Sequence, residues 1–449
     1  MKSLLLSFLL AFGLVPINLC GQQAGPVATG AESVVAFVNV HVVPMDEERV
    51  LEDQTVLIEG DRIITVGPAS SVSIPPTALV IDGSGRYLVP GLAEMHGHIP
   101  PPNQPESEIQ NTLFLYLANG ITTVRGMLGY DGQLTLREQA NRGELDSPNL
   151  YLAGPSFNGN SVSSAEQAGE KVRRQVQEGW DLLKIHPGLT LAEYDSMAIA
   201  ARGAGIDFGG HVPADVGLEH AIEMGQLTFD HLDGYVEYLY GVSPGAVDPD
   251  ALAEIVARTI EARAWVVPTM VLWETLYSVN NLDELNAFPE LQYVSEGSRA
   301  SWERQFRQRL GSPQFDRDSN QAVIDARMEV LAALHEAGAG ILMGTDAPQQ
   351  YSVPGFSLHR EMARMLEAGM SPYDVLVTGT RNVGAYFSAW DTFGLVAEGH
   401  RADLMLLEEN PLTDLAHVAE RAGVMVQGRW YPESAIQARL SEIAASYRQ

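Results

Sequence analysis

Two histidines separated by a single residue, His96 and His98, close the apolar run Tyr87-Leu-Val-Pro-Gly-Leu-Ala-Glu-Met. Positions i and i+2 of a strand share a face, and neutral imidazole is a common ligand of zinc and related metals. One pair is weak evidence on its own. Its weight comes from Lys184, His211, His231 and Asp346, each at or near the end of its own short segment. Those segments read Leu183-Lys-Ile-His, Gly210-His-Val-Pro, Asp230-His-Leu-Asp and Gly344-Thr-Asp-Ala-Pro. Imidazoles, a carboxylate and a lysine in an apolar setting are the side chains of a metal-dependent hydrolytic site.

Side chains spread from His96 to Asp346 can meet only if strand ends are gathered in one place. The intervening sequence alternates helical and strand patterns. Gly120 precedes Ile121-Thr-Thr-Val-Arg, Gly205 precedes Ile206-Asp-Phe, Gly225 precedes Gln226-Leu-Thr-Phe, and Gly338 stands shortly before Ile341-Leu-Met. Glycine just past a helix end takes the left-handed conformation at little cost. Repeated units of this kind predict a parallel sheet. Eight candidate strands fall at about 91–98, 121–126, 149–153, 181–186, 206–211, 227–231, 264–268 and 340–346. The expected fold class is α/β, a (β/α)8 TIM barrel over 91–389, with its active site at the carboxyl ends of the strands. Short β-branched segments in 33–90 return in 390–432. The two stretches are expected to pair as a small β-sandwich domain built from both chain ends, followed by a C-terminal helix over 433–449. The stretch 272–336 is long for one connection and reads as extra helices forming a lid or pocket wall.

The chain has 449 residues, 45% of them apolar, and a formal net charge of -29. That length suits one large barrel with a minor domain. The carboxylates are spread along the chain, and a surface of that sign repels nucleic acid and anionic membranes. Lys2 followed by the apolar Leu4 to Val15 reads as a secretory signal over 1–21, too short for a stable membrane span. The expected location is periplasmic or secreted, with no stable membrane insertion after signal cleavage. Cys20 is the single cysteine, and Leu19 stands where a lipoprotein signal carries a small residue, so lipid anchoring there is not favoured. Cleavage beyond Cys20 leaves no thiol nucleophile. The serine-hydrolase elbow has one literal match, Gly241-Val-Ser-Pro-Gly, whose Pro244 lacks the N–H an oxyanion hole needs.

The motifs around His96, Lys184, His211, His231 and Asp346 resemble those of the metal-dependent amidohydrolase superfamily, over nearly the whole mature chain. The nearest likeness is to its Xaa-Pro dipeptidase-like and aminoacylase-type branch. The resemblance implies that His96 and His98 bind one divalent metal with Asp346, and that His211 and His231 bind a second. It also implies that Lys184 is carboxylated and bridges both. The residue types suit that chemistry. A buried lysine deprotonates readily, and its free amine can add carbon dioxide to give a carbamate with two oxygens. Two metals about 3.5–4 Å apart can share one hydroxide of lowered pKa. Asp346 can take that hydroxide's proton as it attacks a carbonyl and pass it to the leaving nitrogen. Zinc suits the ligand set.

Substrate contacts are expected from Arg125, through bidentate pairing with a carboxylate, and from His186, two residues past Lys184. Tyr235 and Tyr238 after Asp230-His-Leu-Asp, and His359 at the start of a helical pattern, are further candidates. The reading is a binuclear hydrolase of an amide bond in a small molecule, a dipeptide or an N-acyl amino acid. Cyclic amide, ester or lactone hydrolysis uses the same chemistry. A non-catalytic small-molecule-binding barrel is the alternative of another class, and a homo-oligomer stays open.

Overall fold

The computed structural model describes residues 34–448; the signal-like stretch and Cys20 lie outside the described residues. The described chain opens with β1 (Val34–Val42), β2 (Leu51–Glu59), β3 (Arg62–Pro68), β4 (Leu79–Asp82) and β5 (Tyr87–Pro90). The β1–β2 and β2–β3 pairs are antiparallel, whereas β4 and β5 both run parallel to β1.

Eight segments then follow in parallel. A three-stranded sheet holds β6 (Leu92–Gly97), β7 (Ile121–Gly126) and β8 (Asn149–Leu152) in sequence order. A five-stranded sheet holds β9 (Leu183–Ile185), β10 (Phe208–Gly210), β11 (Thr228–Asp230), β12 (Trp265–Val267) and β13 (Gly340–Ile341), again in order. Parallel bridges Ala153–Leu182 and Phe157–Ile185 join the first sheet to the second. At the other seam the segment after β13 runs along β6. Met95 N donates to Met343 O at 2.8 Å, and Asp346 N to His96 O at 2.7 Å. Gly344 permits this approach: a Cβ there would lie 2.8 Å from His96 N and 2.6 Å from a Val267 methyl. Each expected strand position contains one of these segments, the last being cut short at Ile341.

Helices separate successive strands and bury one face each. In Ala165–Glu178 the spacing of Ala168, Val172 and Gln175 forms the inner stripe, Ser164 accepts from Gln167 N, and Gly179 ends the helix. Gly120, Gly205, Gly225 and Gly338 all take positive φ, as their place after helices requires. The stretch 272–336 is helical, with Leu282–Asn286, Glu296–Leu310 and Arg317–Glu336 as its main parts.

The chain ends meet. β14 (Leu404–Leu407), β15 (Arg421–Val426) and β16 (Arg429–Pro432) extend the first sheet, with β14 antiparallel to β5. The order is β16-β15-β14-β5-β1-β2-β3. β16 and β1 stand four ladder steps apart, roughly 19 Å in a flat sheet. Yet the Phe37 and Trp430 ring centroids are 5.3 Å apart, so this sheet is folded over a shared apolar core. The helix Glu433–Ser446 closes the chain. Among the described residues no helix is long and apolar enough to cross a membrane.

Candidate metal centre

The strand ends deliver all six singled-out residues to one cluster. His96 is the last residue but one of β6 and His98 lies just past it; Lys184 is on β9, and His211 and His231 follow β10 and β11. Lys184 Nζ is 3.1 Å from His96 Nε2, and His98 Nε2 is 2.5 Å from Asp346 Oδ1. His96 Nε2 and His231 Nε2 lie 3.8 and 3.7 Å from the Asp346 carboxylate. The His211 and His231 ring centroids are 4.5 Å apart. Local backbone turns these side chains inward. His231 and Asp346 have φ of 69° and 60°, left-handed values that cost a non-glycine residue roughly 1–3 kcal/mol. Gly210 gives Lys184 its path, since a Cβ at 210 would lie 2.9 Å from Lys184 Cδ.

In three of the histidines Nδ1 lies close to a polar partner, as a hydrogen bond in His211 and His231 and as a charge contact without hydrogen-bond geometry in His96. His96 Nδ1 is 2.7 Å from Asp230 Oδ2, His211 Nδ1 is 2.6 Å from Asp233 Oδ2, and His231 Nδ1 is 2.7 Å from Thr269 Oγ1. A carboxylate only accepts, so Asp230 and Asp233 favour the tautomer with the proton on Nδ1 and leave the Nε2 lone pair toward the cluster. His231 Nε2 is buried with no hydrogen-bond partner. Burial drives the pKa values of His96 and His231 well below the ordinary imidazole value, favouring neutral bases, and lowers that of Lys184 to about 8, easing its deprotonation. Ligand atoms of His96, His231 and Asp346 all lie within 4.8 Å of one another. This buried group fits a metal ion: it offers unprotonated imidazole nitrogens and an anionic oxygen.

Asp230 is held by Arg125. The guanidinium contacts both carboxylate oxygens at 3.2 Å and donates from Nε to Met95 O at 2.6 Å. Neither side chain touches solvent. Arg125 is therefore not a free cation for a substrate carboxylate, as its sequence context led us to expect. It reaches across the strand interior and pins the carboxylate that pins His96. Two other substrate candidates are also placed elsewhere. Tyr235 is fully buried, its hydroxyl 2.8 Å from Thr259 Oγ1. His359 stands beside Arg360 and Arg421, the latter on β15. His186 does lie against the cluster, its ring stacked on His211 at 5.0 Å, and burial near Lys184 pushes it down to about 2, hence neutral.

Asp230, Asp233, Thr269 and Arg327 were missed as supporting residues. Asp230 and Asp233 flank His231 in sequence, which was the available signal. Arg327 had none: it comes from the helix Arg317–Glu336, donates to His231 O, and stacks over Trp273 with its guanidinium 4.2 Å from the ring centroid. Two clefts open beside the cluster. One of about 460 Å³ includes His98 and Pro348 in its wall; the other, about 700 Å³, is bounded by Val212, Asp233, Tyr238, Trp273 and Arg327. Tyr238 thus faces a cleft, unlike Tyr235.

With this geometry established, comparison with known proteins is informative. The chain is 27% identical over 219 residues to an adenine deaminase of Ruegeria sp. (strain TM1040), covering 45% of this chain and 35% of the relative. It spans about a third to a half of the length of this and two further adenine deaminases that it matches. Among solved structures it is similar to a Xaa-Pro dipeptidase with methionine bound in the active site. There the TM-score is 0.68 at 20% identity, over 89% of this chain and 100% of that one. It is also similar to the bottromycin amidohydrolase, with a TM-score of 0.72 at 22% identity, over 92% and 90% of the two chains. These likenesses establish a shared fold. The model of the amidohydrolase family matches residues 87–431, well over half of the chain. The chain belongs to the amidohydrolase family.

Proposed function

We propose that this chain is a metal-dependent hydrolase of carbon–nitrogen bonds that cleaves an amide, in a dipeptide or an N-acyl amino acid, at a two-metal centre. The observation that carries the reading is the convergence of His96, His98 and His231 on Lys184 and Asp346, with His211 stacked beside His231. A storage site needs no such lysine or general base. On this reading the eight parallel segments close into a (β/α)8 barrel, since backbone bonds cross both seams. The folded-over sheet of the chain ends is then the sandwich beside it.

His96, His98 and Asp346 would hold one ion, His211 and His231 the other, with Lys184, as its carbamate, supplying an oxygen to each. Bound divalent metal, with zinc the best match to these donors, would lower the pKa of a water and polarise the scissile carbonyl. Asp346 would take the proton from the attacking water and deliver it to the departing nitrogen. Asp230 and Asp233 would keep His96 and His211 in the binding tautomer throughout. Arg125 would keep Asp230 ionised. The similarity to a Xaa-Pro dipeptidase supports a peptide-like substrate. The adenine deaminase relatives favour a second reading, hydrolytic removal of an amino group from a ring carbon.

The test is elemental analysis of protein purified without chelator, followed by a screen of dipeptides, N-acyl amino acids and cyclic amides. About two equivalents of metal and turnover of an amide are expected. Activity intact in metal-free protein would overturn the reading.

A further inference from the structure

The cleft beside His98 has a chemical character of its own. Its walls come from three separate parts of the chain: Leu115 and Tyr130 from the early connections, Tyr293 and Trp302 from the stretch 272–336, and Tyr447 from the end of the C-terminal helix. His98 and Pro348 set it against the metal centre, since Pro348 lies two residues past Asp346. Its volume of about 460 Å³ lies within the usual range for a small-molecule pocket. Glu108 is the one Asp, Glu, Lys or Arg among its lining residues, and it accepts from the Tyr447 hydroxyl at 2.7 Å. Of the neighbouring arginines, Arg309 donates to Gln350 and Arg360 to Glu290, and Arg299, one turn before Trp302, is not among the lining residues. Among the described residues no lysine or arginine lines this cleft, and a carboxylate already stands there.

We infer that this cleft is the specificity pocket and receives an uncharged, ring-sized apolar group of the substrate, whose free carboxylate, where it has one, must point away from it. The inference rests on the amide-hydrolase reading above and narrows its substrate class. Aromatic walls reward a flat apolar group by burial and ring contact. A carboxylate placed here would lose its water and meet Glu108 with no lysine or arginine on the wall to offset it.

The test uses the metal-loaded enzyme and amides that differ in one substituent, methyl, benzyl or carboxymethyl, placed on either side of the scissile bond. On the side that enters the cleft, benzyl should exceed methyl in kcat/KM by roughly 10–100-fold, the scale of burying one apolar group. Carboxymethyl should fall below methyl. Trp302→Ala should cut the benzyl-to-methyl ratio about tenfold, and Glu108→Gln should raise the carboxymethyl-to-methyl ratio. A preference for carboxymethyl, or a benzyl-to-methyl ratio unmoved in folded Trp302→Ala, overturns the inference. If Trp302→Ala does not fold, the wild-type series and Glu108→Gln decide. Should the metal-loaded enzyme cleave none of the amides, the catalytic reading fails instead. Calorimetric binding of the same compounds then decides the pocket: benzyl tighter than carboxymethyl upholds it, and the reverse order overturns it.

Discussion

The metal centre has a deep side and an open side, and they are built differently. On the deep side His96, His231 and Lys184 are at most 1% exposed, and His96 is backed by Asp230 and Arg125, neither of which touches solvent. On the open side the His98 side chain is 20% exposed and that of His211 15%, and His211 is backed by Asp233, itself 15% exposed. Both sides use a carboxylate to orient an imidazole. Each carboxylate also meets a buried arginine, Asp230 with Arg125 at 3.2 Å and Asp233 with Arg327 at 3.6 Å, but only Asp230 is itself out of water, where a lone anion would be expelled or neutralised. The deep side secures the ligands. The open side leaves room for a substrate between two clefts.

The largest effect should come from Lys184→Ala, which empties the middle of the cluster. Turnover should fall by more than about 100-fold with loss of metal, beyond what loss of a supporting residue costs. Short carboxylic acids should restore part of it by standing in for the carbamate. Wild-type turnover in this variant would remove Lys184 from the centre.

Next comes a matched pair that tests the comparison itself. Asp230→Asn leaves Arg125 buried without its counter-charge and should cost about 3–5 kcal/mol of stability in denaturant titration. Asp233→Asn, at the open side, should weaken metal binding about 10–100-fold and cost less stability than Asp230→Asn, because Asp233 is partly solvated and its contact with Arg327 is the longer one, at 3.6 Å. Equal stability losses would mean that the two sides do not differ in the way described.

The smallest effect is expected outside the cluster. Tyr235→Phe removes one hydroxyl bonded to Thr259 in the core and should cost about 0.5–1.5 kcal/mol with KM unchanged. A raised KM would return Tyr235 to the substrate side, where its sequence position first suggested it.

The strand ends were legible because the pattern is local. A short apolar run, a following helix and a helix-ending glycine mark a βα unit from within some thirty residues, and the residue closing each strand falls on one rim. The structure gathers His96, His98, Lys184, His211, His231 and Asp346 there. The substrate candidates were less legible. Tyr235 and Tyr238 share one short helix, yet one is core and the other lines a cleft, a distinction of helix face that three residues of spacing leave undecided. Arg125 read as a cation awaiting an anion; its anion was Asp230, on a strand that only folding brings across from it.

From the amino-acid order alone came the βα alternation, the return of the chain end to the first strands, and the residue types of a metal site. These follow from hydrophobic period and backbone preference, which act between near neighbours. The tertiary structure alone decided which imidazole nitrogen faces the centre, where the counter-charge of Asp230 lies, and that Tyr293 and Trp302 wall the cleft beside His98. Those outcomes depend on left-handed turns at single residues and on contacts between distant segments. No local pattern encodes them, because the energy of such a contact is set by burial and geometry that exist only once the chain has closed on itself.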